Sequence, residues 1–549
     1  MEIETEIETV SGIKNKTNMN SNVAYGVGAV DGAVDGAIDG AIDPVDEYNY
    51  LKMMKLTDIN YNKIKKSNRH QLSYNSNNPR QSEVNSKIQF LYDELDIEFN
   101  NFKNNISSSC FKHKMIKVDK SNICLTQSLL KSSYIPSHIV AYIIDKAKFV
   151  LEYNCDLGNG RTVKINFILF GCNRYELNNI RKKGASYFKR CVLKIYIWLK
   201  ILSKYSKEEC GKNLECFIYL TPFKRKLPSY SDRSHDDGVD VGDGDNIHIY
   251  EAGNGSEKQQ VMVDRILTPS HVNGGLSDIC QLDGQIIVYR SEEWFKVFIH
   301  ETMHNYGVDF STLDLTMANK KIQSIFSIQT NVKLFESYCE IWARIMNVFF
   351  ESYFVVNRQS QALFIPLSTR KKMIHKIHKN NYTSVKNGRT YNPRMNTSSD
   401  VDKKQRFLNI FYDNLKHESI FSIFQCVKIL NFMGLDYNII SNCNDANYII
   451  VKKMYKEETN VFAYYIIVAI LMANFNNFIL WCIDNNTNLF NFKKEDSSVD
   501  NFVMFISKNY KNSELLGMIV HLEKRLENRQ PDDELLLHTL RMTIIGEGR

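Results

Sequence analysis

Closely spaced cysteines are missing from this sequence. The chain has 12 cysteines in 549 residues but no Cys-x-x-Cys pair, and the two closest, Cys210 and Cys216, are too far apart to begin a thiolate zinc site. Solitary cysteines are typical of a reducing compartment. The N-terminus, MEIETEIETV, also lacks the basic start and apolar core of a signal peptide. We therefore expect an intracellular protein that is not secreted by a signal peptide.

A dense block of positive charge is also missing. The formal net charge of +7 is small for this length and is scattered along the chain, so no nucleic-acid partner is predicted.

The apolar run at residues 461–473 is the candidate membrane span, and it has 13 residues. This is short of the roughly 18 that cross a bilayer, and three Asn residues follow within the next four positions. A buried helix or helical hairpin is therefore predicted, and membrane association is not expected.

Low-complexity sequence marks the N-terminal region. Residues 28–43 repeat a four-residue unit four times, GAVDGAVDGAIDGAID. A short, Gly-rich, acidic repeat buries little surface, so we expect residues 1–86 to be disordered. The stretch at residues 234–248 crowds five Asp among glycines and is predicted to be a solvated surface loop. Neither segment has the ligand spacing of an EF-hand, so no calcium site is predicted.

Strand and helix patterns alternate through the middle of the chain. Helical spacing of apolar residues predicts helices near residues 87–102, 137–151 and within 177–205. β-rich runs predict strands at residues 161–170, 215–221 and 284–290. Downstream the pattern is mainly helical, beginning with residues 334–350. This order of elements predicts an α+β fold.

One predicted helix carries a possible metal-binding motif. The segment WFKVFIHETMHNYG, residues 294–307, contains His300, Glu301 and His304 in the spacing H-E-x-x-H. Positions four apart on a helix differ by about 40° in direction and about 6 Å in height, so both imidazoles can reach one Zn²⁺ ion. Glu301 falls beside that ion, where a carboxylate can take a proton from zinc-bound water. Two satisfied core histidines are the alternative to a metal site.

Capping residues predict where this helix begins and ends. Ser291 is a suitable N-cap, and Glu292 and Glu293 would lie in the first turn, where the helix dipole favours negative charge. Gly307 is a suitable C-terminal glycine. Apolar residues also occupy the face away from the histidines, which predicts a buried helix.

A catalytic zinc ion needs a third protein ligand and an open fourth position. The metzincin spacing H-E-x-x-H-x-x-G-x-x-H fails, because Phe310 stands where the third ligand should be and Asp309 is one residue out of register. The gluzincin spacing asks for a glutamate on a later helix, and ESYCE offers Glu336 and Glu340 on one helix face. We expect Glu336 to bind the metal and Glu340 to accept a hydrogen bond from a ligating imidazole. The reverse assignment of the two acids is the main alternative.

At these residues the sequence resembles the gluzincin group of zinc metallopeptidases. The run ESYCEIWARI is similar to the E-x-x-x-E helix of the lethal-factor-like and thermolysin-like branches. Residues 272–311 are similar to uncharacterised zincin-like proteins of large DNA viruses. The resemblance covers about residues 140 to 360, and it implies a zincin-like catalytic domain in which a small mixed sheet packs on the H-E-x-x-H helix.

The resemblance also implies how a substrate would bind. An edge strand before the motif helix would pair with an extended peptide backbone, and Asn273, Gly274 and Gly275 are expected to belong to it. The family adds a Tyr or His that steadies the oxyanion. Three histidines are open candidates for that role: His375, His378 and His417.

The leading prediction is an intracellular zinc metallopeptidase, in the host cytoplasm or virion if the chain is viral, that acts on a peptide or protein substrate. Glu301 is the expected general base, and His300, His304 and Glu336 are the expected ligands. Two alternatives stay open: a zincin-fold binding protein without turnover, and a zinc hydrolase that acts on a non-peptide bond. Four regions are predicted: disordered residues 1–86, a short helical lead-in at 87–136, the zincin-like domain at 137–360, and a mainly helical region at 361–549.

Overall fold

The computed structural model describes residues 79–104, 112–118, 134–170, 185–228, 265–357, 400–528 and 534–546. The acidic stretch at 234–248, the two histidines His375 and His378, and the predicted boundary near residue 360 lie outside these described residues. Most of the region expected to be disordered also lies outside them. Its last part does not, because the first helix begins at Pro79, so residues 79–86 are helical.

A six-stranded sheet contains the named strands of the described residues. The strands are β1 His113–Lys117, β2 Ala147–Gly158, β3 Arg161–Phe170, β4 Asn213–Ile218, β5 Gly275–Ser277 and β6 Gln285–Val288. Their spatial order is β1-β2-β3-β4-β6-β5. The β3, β4 and β6 strands run parallel, and the other neighbouring pairs are antiparallel. The sheet is therefore mixed, the predicted α+β class is confirmed, and β5 is an edge strand.

The helices before and around the motif surround this sheet. They are α1 Pro79–Asn104, α2 Ser137–Lys146, α3 Ala185–Ser203, the short α4 Pro269–Val272, α5 Trp294–Asn305, α6 Thr316–Phe326 and α7 Leu334–Val356. The helix predicted at 137–151 is wrong in its last part, because α2 ends at Lys146 and the chain continues as β2. Antiparallel pairing of β2 with β3 along almost its whole length supplies backbone hydrogen bonds that outweigh the local helical pattern.

The described part of the C-terminal region is mainly helical. Its helices are α8 Asp400–Phe432, α9 Tyr437–Ser441, α10 Asp445–Met454, a π-helix at Phe462–Ile467, α11 Val468–Ala473, α12 Phe475–Asn485, α13 Asp496–Asn509, α14 Ser513–Glu527 and α15 Glu534–His538. The long α8 packs against α7, α11, α14 and the π-helix. The helical region therefore shares one hydrophobic core with the helix that carries the second acidic motif.

Alternate residues of the sheet face two different cores, as the twofold period of a strand requires. On β3, Ile165 and Phe167 face the large core that contains α3, α5 and α7. Ile168 faces the smaller core, where Ile139 and Ile143 of α2 cover the opposite side of the sheet. The sheet is thus covered on both faces, and α5 lies on the side of the large core.

The motif helix, α5, is enclosed on all sides. All of its residues from Trp294 to Asn305 are buried, as predicted, and it packs against α3, α7, β5 and β6.

The predicted N-cap of α5 is wrong: Ser291 precedes the helix, and Glu293 occupies the cap with a left-handed backbone, φ 59°. The Glu293 carboxylate instead pairs with the buried Arg225 guanidinium. Gly307 follows the helix with φ 59°, the conformation expected of a C-terminal glycine.

One pair of cysteines departs from the expectation of solitary cysteines. Cys210, before β4, forms a disulfide with Cys280, which follows β5, across a sequence separation of 70. The backbone N–H of Cys280 also donates to the carbonyl oxygen of His304, at 3.3 Å. The bond therefore joins two loops at the C-terminal end of α5, and sequence spacing could not predict it because the partners are so far apart in the chain.

Within the described ranges, no single helix is both long enough and apolar enough to cross a membrane. The predicted buried apolar helix is present as the segment Phe462–Ala473, and α12 follows it at an angle of 95°, so the two parts do not form an antiparallel hairpin. Only together do they reach the length and composition of a span. The residues of α11 from Val468 to Met472 are buried inside the protein.

A C-terminal segment, residues 539–545, follows α15 into the interior. Leu540, Thr543 and Ile544 are fully buried. The side chain of Glu418 on α8 accepts hydrogen bonds from the hydroxyl of Thr543 at 2.8 Å and from the N–H of Ile544 at 3.0 Å. This segment therefore belongs to the core rather than to the helical surface.

Candidate metal centre

Two imidazoles of α5 face each other, as the four-residue spacing predicts. The Nε2 atoms of His300 and His304 lie 3.2 Å apart, and only 5% and 6% of these two residues is exposed. Helix geometry produces this approach, because residues one turn apart lie on the same side of α5. The two nitrogens therefore face one point beside the helix.

Glu336, in the first turn of α7, brings a carboxylate oxygen to the same point. Its Oε2 atom lies 3.1 Å from Nε2 of His300 and 3.4 Å from Nε2 of His304. A tetrahedral ion with bonds of about 2.0 to 2.2 Å separates its ligand atoms by about 3.3 to 3.6 Å. The three atoms thus form a triangle of nearly the size that one zinc ion requires, and they form one of two groups among the described residues that could hold a metal.

Glu340, one turn further along α7, is held away from that triangle by two cations. Lys296 donates to both of its oxygens, at 3.0 and 2.9 Å, and Nε of Arg344 donates to Oε1 at 2.9 Å. Its Oε2 lies 3.3 Å from Nδ1 of His300, without the alignment of a hydrogen bond. Lys296 is the foremost of the charges that hold the pKa of the buried Glu340 carboxyl below its usual range. The geometry favours Glu336 over Glu340 as the metal ligand.

The far side of the His304 ring contacts Asp309, a residue to which the sequence pattern gave no role. Its Nδ1 atom is 2.5 Å from Oδ2 of Asp309, and the other oxygen of Asp309 accepts from Ser311 at 3.0 Å. Asp309 is the residue that stood out of register in the metzincin spacing. Phe310, which stood at the ligand position, instead packs against Phe492 in an aromatic cluster, with ring centroids 4.1 Å apart.

The second possible metal group consists of His304, Asp309 and Cys339. In this group His304 would use Nδ1, which is already bonded to Asp309. Burial raises the pKa of the Cys339 thiol to about 12, so this cysteine is a neutral thiol in the absence of a metal. These three residues are better explained as the support of His304 than as a site of their own.

The charges at the triangle favour a cation beside Glu336. Burial raises the pKa of Glu336, but the imidazoles of His304 and His300 outweigh that effect and hold the pKa well below its usual value. Burial lowers the pKa of His300, but the nearby carboxylates of Glu336 and Glu340 reverse the direction and raise it. A carboxylate that remains ionised while buried requires positive charge close by, which either the protonated imidazoles or a divalent ion between neutral imidazoles would supply.

No family model, curated protein or solved structure matches this chain. The resemblance to gluzincins therefore stays a prediction that rests on the motif residues themselves.

Glu301 lies on the β5 side of the triangle. Its Oε2 accepts a hydrogen bond from the hydroxyl of Ser277 on β5, at 3.0 Å. Burial, which is its largest effect, raises the pKa of Glu301 above the usual value. A carboxylate with a raised pKa is a stronger base than an ordinary glutamate, so Glu301 is suited to proton transfer.

The predicted edge strand is present but lies slightly later in the chain than expected. Of its three predicted residues only Gly275 belongs to β5, while Asn273 and Gly274 precede the strand. A Cβ atom on Gly275 would lie 2.7 Å from Cγ1 of Val297 and 3.0 Å from Oε1 of Glu301. Glycine is therefore required there because β5 lies directly against α5.

Backbone pairing determines which groups of β5 are open. Tyr289 donates to the carbonyl of Gly274 at 3.0 Å, and Asp278 donates to the carbonyl of Gln285 at 3.1 Å. Hydrogen-bonded and non-hydrogen-bonded pairs alternate in an antiparallel ladder. The N–H and C=O groups of Gly275 and Ser277 therefore point away from β6, towards the side of β5 on which the described residues form no further strand.

Tyr464, on the π-helix, is a site residue that the sequence analysis missed. Its hydroxyl donates to Oε2 of Glu336 at 2.9 Å, and its ring lies 5.7 Å from the ring of His300. Of the three histidines considered for the oxyanion role, only His417 lies within the described residues, on α8. Nothing in the spacing of Tyr464 relates it to the motif, because it follows His304 by well over a hundred residues.

Proposed function

We propose that this protein is a zinc-dependent metallopeptidase. The observation that carries the proposal is the triangle of His300 Nε2, His304 Nε2 and Glu336 Oε2, with sides of 3.2, 3.1 and 3.4 Å, beside a buried glutamate next to an edge strand. The alternative of two satisfied core histidines explains neither the buried carboxylate between them nor the adjacent base.

The donor set suits zinc. Two imidazole nitrogens and one carboxylate oxygen are a ligand set of catalytic zinc sites, which leave the fourth position open. When bound, the ion supplies a Lewis acid that acidifies water and polarises the scissile carbonyl. His300, His304 and Glu336 would hold it, and Asp309 would keep the His304 ring in place from its far side.

Glu301 would take the proton from the attacking water and pass it to the leaving amine. Its carboxylate is on the same helix as the two histidines but accepts a hydrogen bond from Ser277 of β5, at 3.0 Å. This bond holds the base between the metal ligands and the edge strand. A proton taken up at Glu301 is therefore close to any peptide bound along β5.

A peptide is the substrate that the free edge of β5 fits best. The N–H and C=O groups of Gly275 and Ser277 can pair with an extended backbone, and such pairing gives affinity without demanding a particular sequence. This feature favours a peptide over a non-peptide substrate, which has no regular series of amide donors and acceptors.

Tyr464 would donate a hydrogen bond to the oxygen that becomes negative during attack. Burial raises its pKa well above the usual value, so the phenol keeps its proton at neutral pH. A donor at that oxygen stabilises the transition state more than the ground state. In this structure the single hydroxyl proton is donated to Glu336 at 2.9 Å, so it would turn from that carboxylate to the substrate oxygen once Glu336 bound a metal ion.

The test compares wild type with Glu301→Gln as purified full-length chains. Bound zinc is measured by elemental analysis, and cleavage is measured on a proteome-derived peptide library. We expect about one zinc per chain in both proteins, and hydrolysis slower by about 10² to 10⁴ in the variant, because the general base is lost.

The matched control is Glu351→Gln, which removes the charge of another buried glutamate, 2.7 Å from Lys194, away from the triangle. This control should cleave like wild type. Stoichiometric zinc without cleavage by any of the three proteins would favour the binding-protein alternative. Absence of zinc from the wild type would refute the metal assignment.

A further inference from the structure

Two buried arginines hold the chain that leads into β5. Arg225 and Arg290 are 2% and 1% exposed. The Arg290 guanidinium donates to the carbonyl of Ser270 at 2.6 Å and to that of Asn273 at 2.9 Å. The third contact from Arg290 is to the carbonyl of Lys224 at 3.2 Å.

Arg225 holds the same segment from a second direction. Its Nε atom donates to the carbonyl of Val272 at 2.6 Å, and its Nη1 atom pairs with Glu293 at the start of α5. A Cβ atom on Gly274 would collide with this guanidinium. Gly274 is therefore a glycine that allows an arginine to lie against the backbone, rather than a residue that touches substrate.

The strand itself is too short to determine its own position. Only three residues of β5 pair with β6, from Gly275 to Ser277. Register is weakly specified in such a short ladder. By contrast, the carbonyls of Ser270, Val272 and Asn273 are each bound by a rigid guanidinium, which presents its donors in a fixed planar fork.

A buried guanidinium is costly unless hydrogen bonds satisfy it. The three described hydrogen bonds of Arg290 are all to backbone carbonyls. Because the donors of one guanidinium lie in a fixed plane, they restrict where these carbonyls can lie. With the carbonyls in these positions, Ser277 lies 3.0 Å from Glu301.

We propose that Arg290, supported by Arg225, is a positioning residue that holds β5 in place for substrate backbone pairing. Arg290 acts through the carbonyls of residues 270 and 273 and does not itself touch the substrate. This inference rests on the proposed peptidase function, since it names the device that keeps the substrate edge of that same site in register with the general base.

The test uses Arg290→Lys, which keeps the charge and removes the planar fork. The matched control is Arg161→Lys, because Arg161 is another buried arginine that donates to backbone carbonyls, those of Lys207 and Cys210. Three quantities are measured for the full-length proteins: amide hydrogen exchange, zinc affinity by chelator competition, and the KM and kcat of peptide hydrolysis.

For Arg290→Lys we expect amide exchange at residues 273–278 to speed up about tenfold and KM to rise about tenfold, with a smaller change in kcat, because uniform binding of the substrate backbone is lost. Zinc affinity should stay within about twofold of wild type, since the ligands lie on α5 and α7. Arg161→Lys should speed exchange at residues 206–211 and leave KM unchanged.

Three results would overturn the proposal: unchanged exchange at residues 273–278 in Arg290→Lys, an equal rise of KM in both variants, or a loss of zinc affinity that accounts for the loss of hydrolysis. If the wild type neither binds zinc nor cleaves peptides, the proposed function fails. The exchange measurement still decides whether Arg290 holds β5.

Discussion

At the scale of single residues, each residue that would hold the metal lies against a polar side chain outside the triangle. Asp309 lies 2.5 Å behind His304, and Tyr464 donates to Glu336 at 2.9 Å. Behind His300, Glu340 is neutralised by Lys296 at 2.9 Å and by Arg344. Such outer contacts fix ring and carboxylate orientation before a metal arrives, and a preorganised site binds more tightly than a mobile one.

Tyr464→Phe tests the hydroxyl that points into the site. We expect kcat to fall about a hundredfold, because one donor to the developing oxyanion is removed, while zinc affinity stays close to wild type. Steady-state kinetics and chelator competition measure the two effects separately. Tyr465→Phe is the control, since the hydroxyl of Tyr465 donates to the carbonyl of Leu540 at 2.7 Å and not to a residue of the triangle. Weaker zinc binding with unchanged kcat in the loaded enzyme would mean that Tyr464 only orients Glu336.

At the scale of elements, the site depends on the close approach of β5 to α5. Gly275 and Val297 are the point of contact, where an added Cβ would lie 2.7 Å from Cγ1 of Val297 and 2.9 Å from the carbonyl oxygen of Ile287. The disulfide Cys210–Cys280 joins the loops at the other end of the same helix. The contact of Gly275 with Val297 therefore sets the distance between the edge strand and the motif helix.

Gly275→Ala should move β5 away from Glu301, because the clash is partly with backbone, which cannot rotate out of the way. We expect kcat/KM to fall about tenfold or more, since small displacements of a bound substrate are costly to reaction geometry. Zinc content should be unchanged. Gly434→Ala is the control, because its Cβ would lie 2.7 Å from Cε of Met454 in the helical C-terminal region rather than near Glu301 or the β5 backbone. Equal loss of activity in the two variants would contradict the expectation.

At the scale of the whole molecule, the C-terminal segment connects the helical region to the candidate metal centre. Met542 touches Nζ of Lys296 at 3.3 Å, and the N–H of Thr543 donates to Glu293. Glu418 of α8 receives the donors of Thr543 and Ile544 on one oxygen. The two ends of this network lie on α5 and α8, so residues at the end of the chain support a helix near its middle.

Glu418 predicts a pH dependence of stability. Burial raises its pKa from 4.5 to about 7 in the folded protein. Between these two values the unfolded chain is ionised and the folded chain is protonated, so unfolding releases a proton and the free energy of unfolding falls as pH rises. The loss should reach on the order of 3 kcal/mol and then level off above about pH 7.

Chemical denaturation of wild type and Glu418→Gln at pH 5 and pH 8 measures this effect. The neutral amide keeps an acceptor for Thr543 and Ile544 but does not titrate, so the variant should gain stability relative to wild type as pH rises. Other groups cancel in the difference between the two proteins. A difference that stays constant between the two pH values would show that Glu418 does not contribute in this way.

Local patterns predicted the elements that depend on local periodicity. The strand at 161–170 is β3, and the helices that carry His300 and Glu336 are where helical spacing puts them. The failures have long-range causes. Residues 147–151 pair with β3 instead of continuing α2, and Ser291 loses the cap position because Glu293 is drawn into an ion pair with Arg225.

The sequence by itself predicted that His300 and His304 lie on one side of a buried helix, with Glu301 beside them, because residues four apart on a helix share a face whatever surrounds them. Only the tertiary structure shows that Asp309 contacts His304 and that Tyr464 contacts Glu336. It alone also shows that Cys210 meets Cys280 and that Arg225 and Arg290 bind the carbonyls before β5. These contacts join residues that are distant in the chain or that leave a helix at its end. Their positions follow from packing of whole elements, on which short-range spacing carries no information.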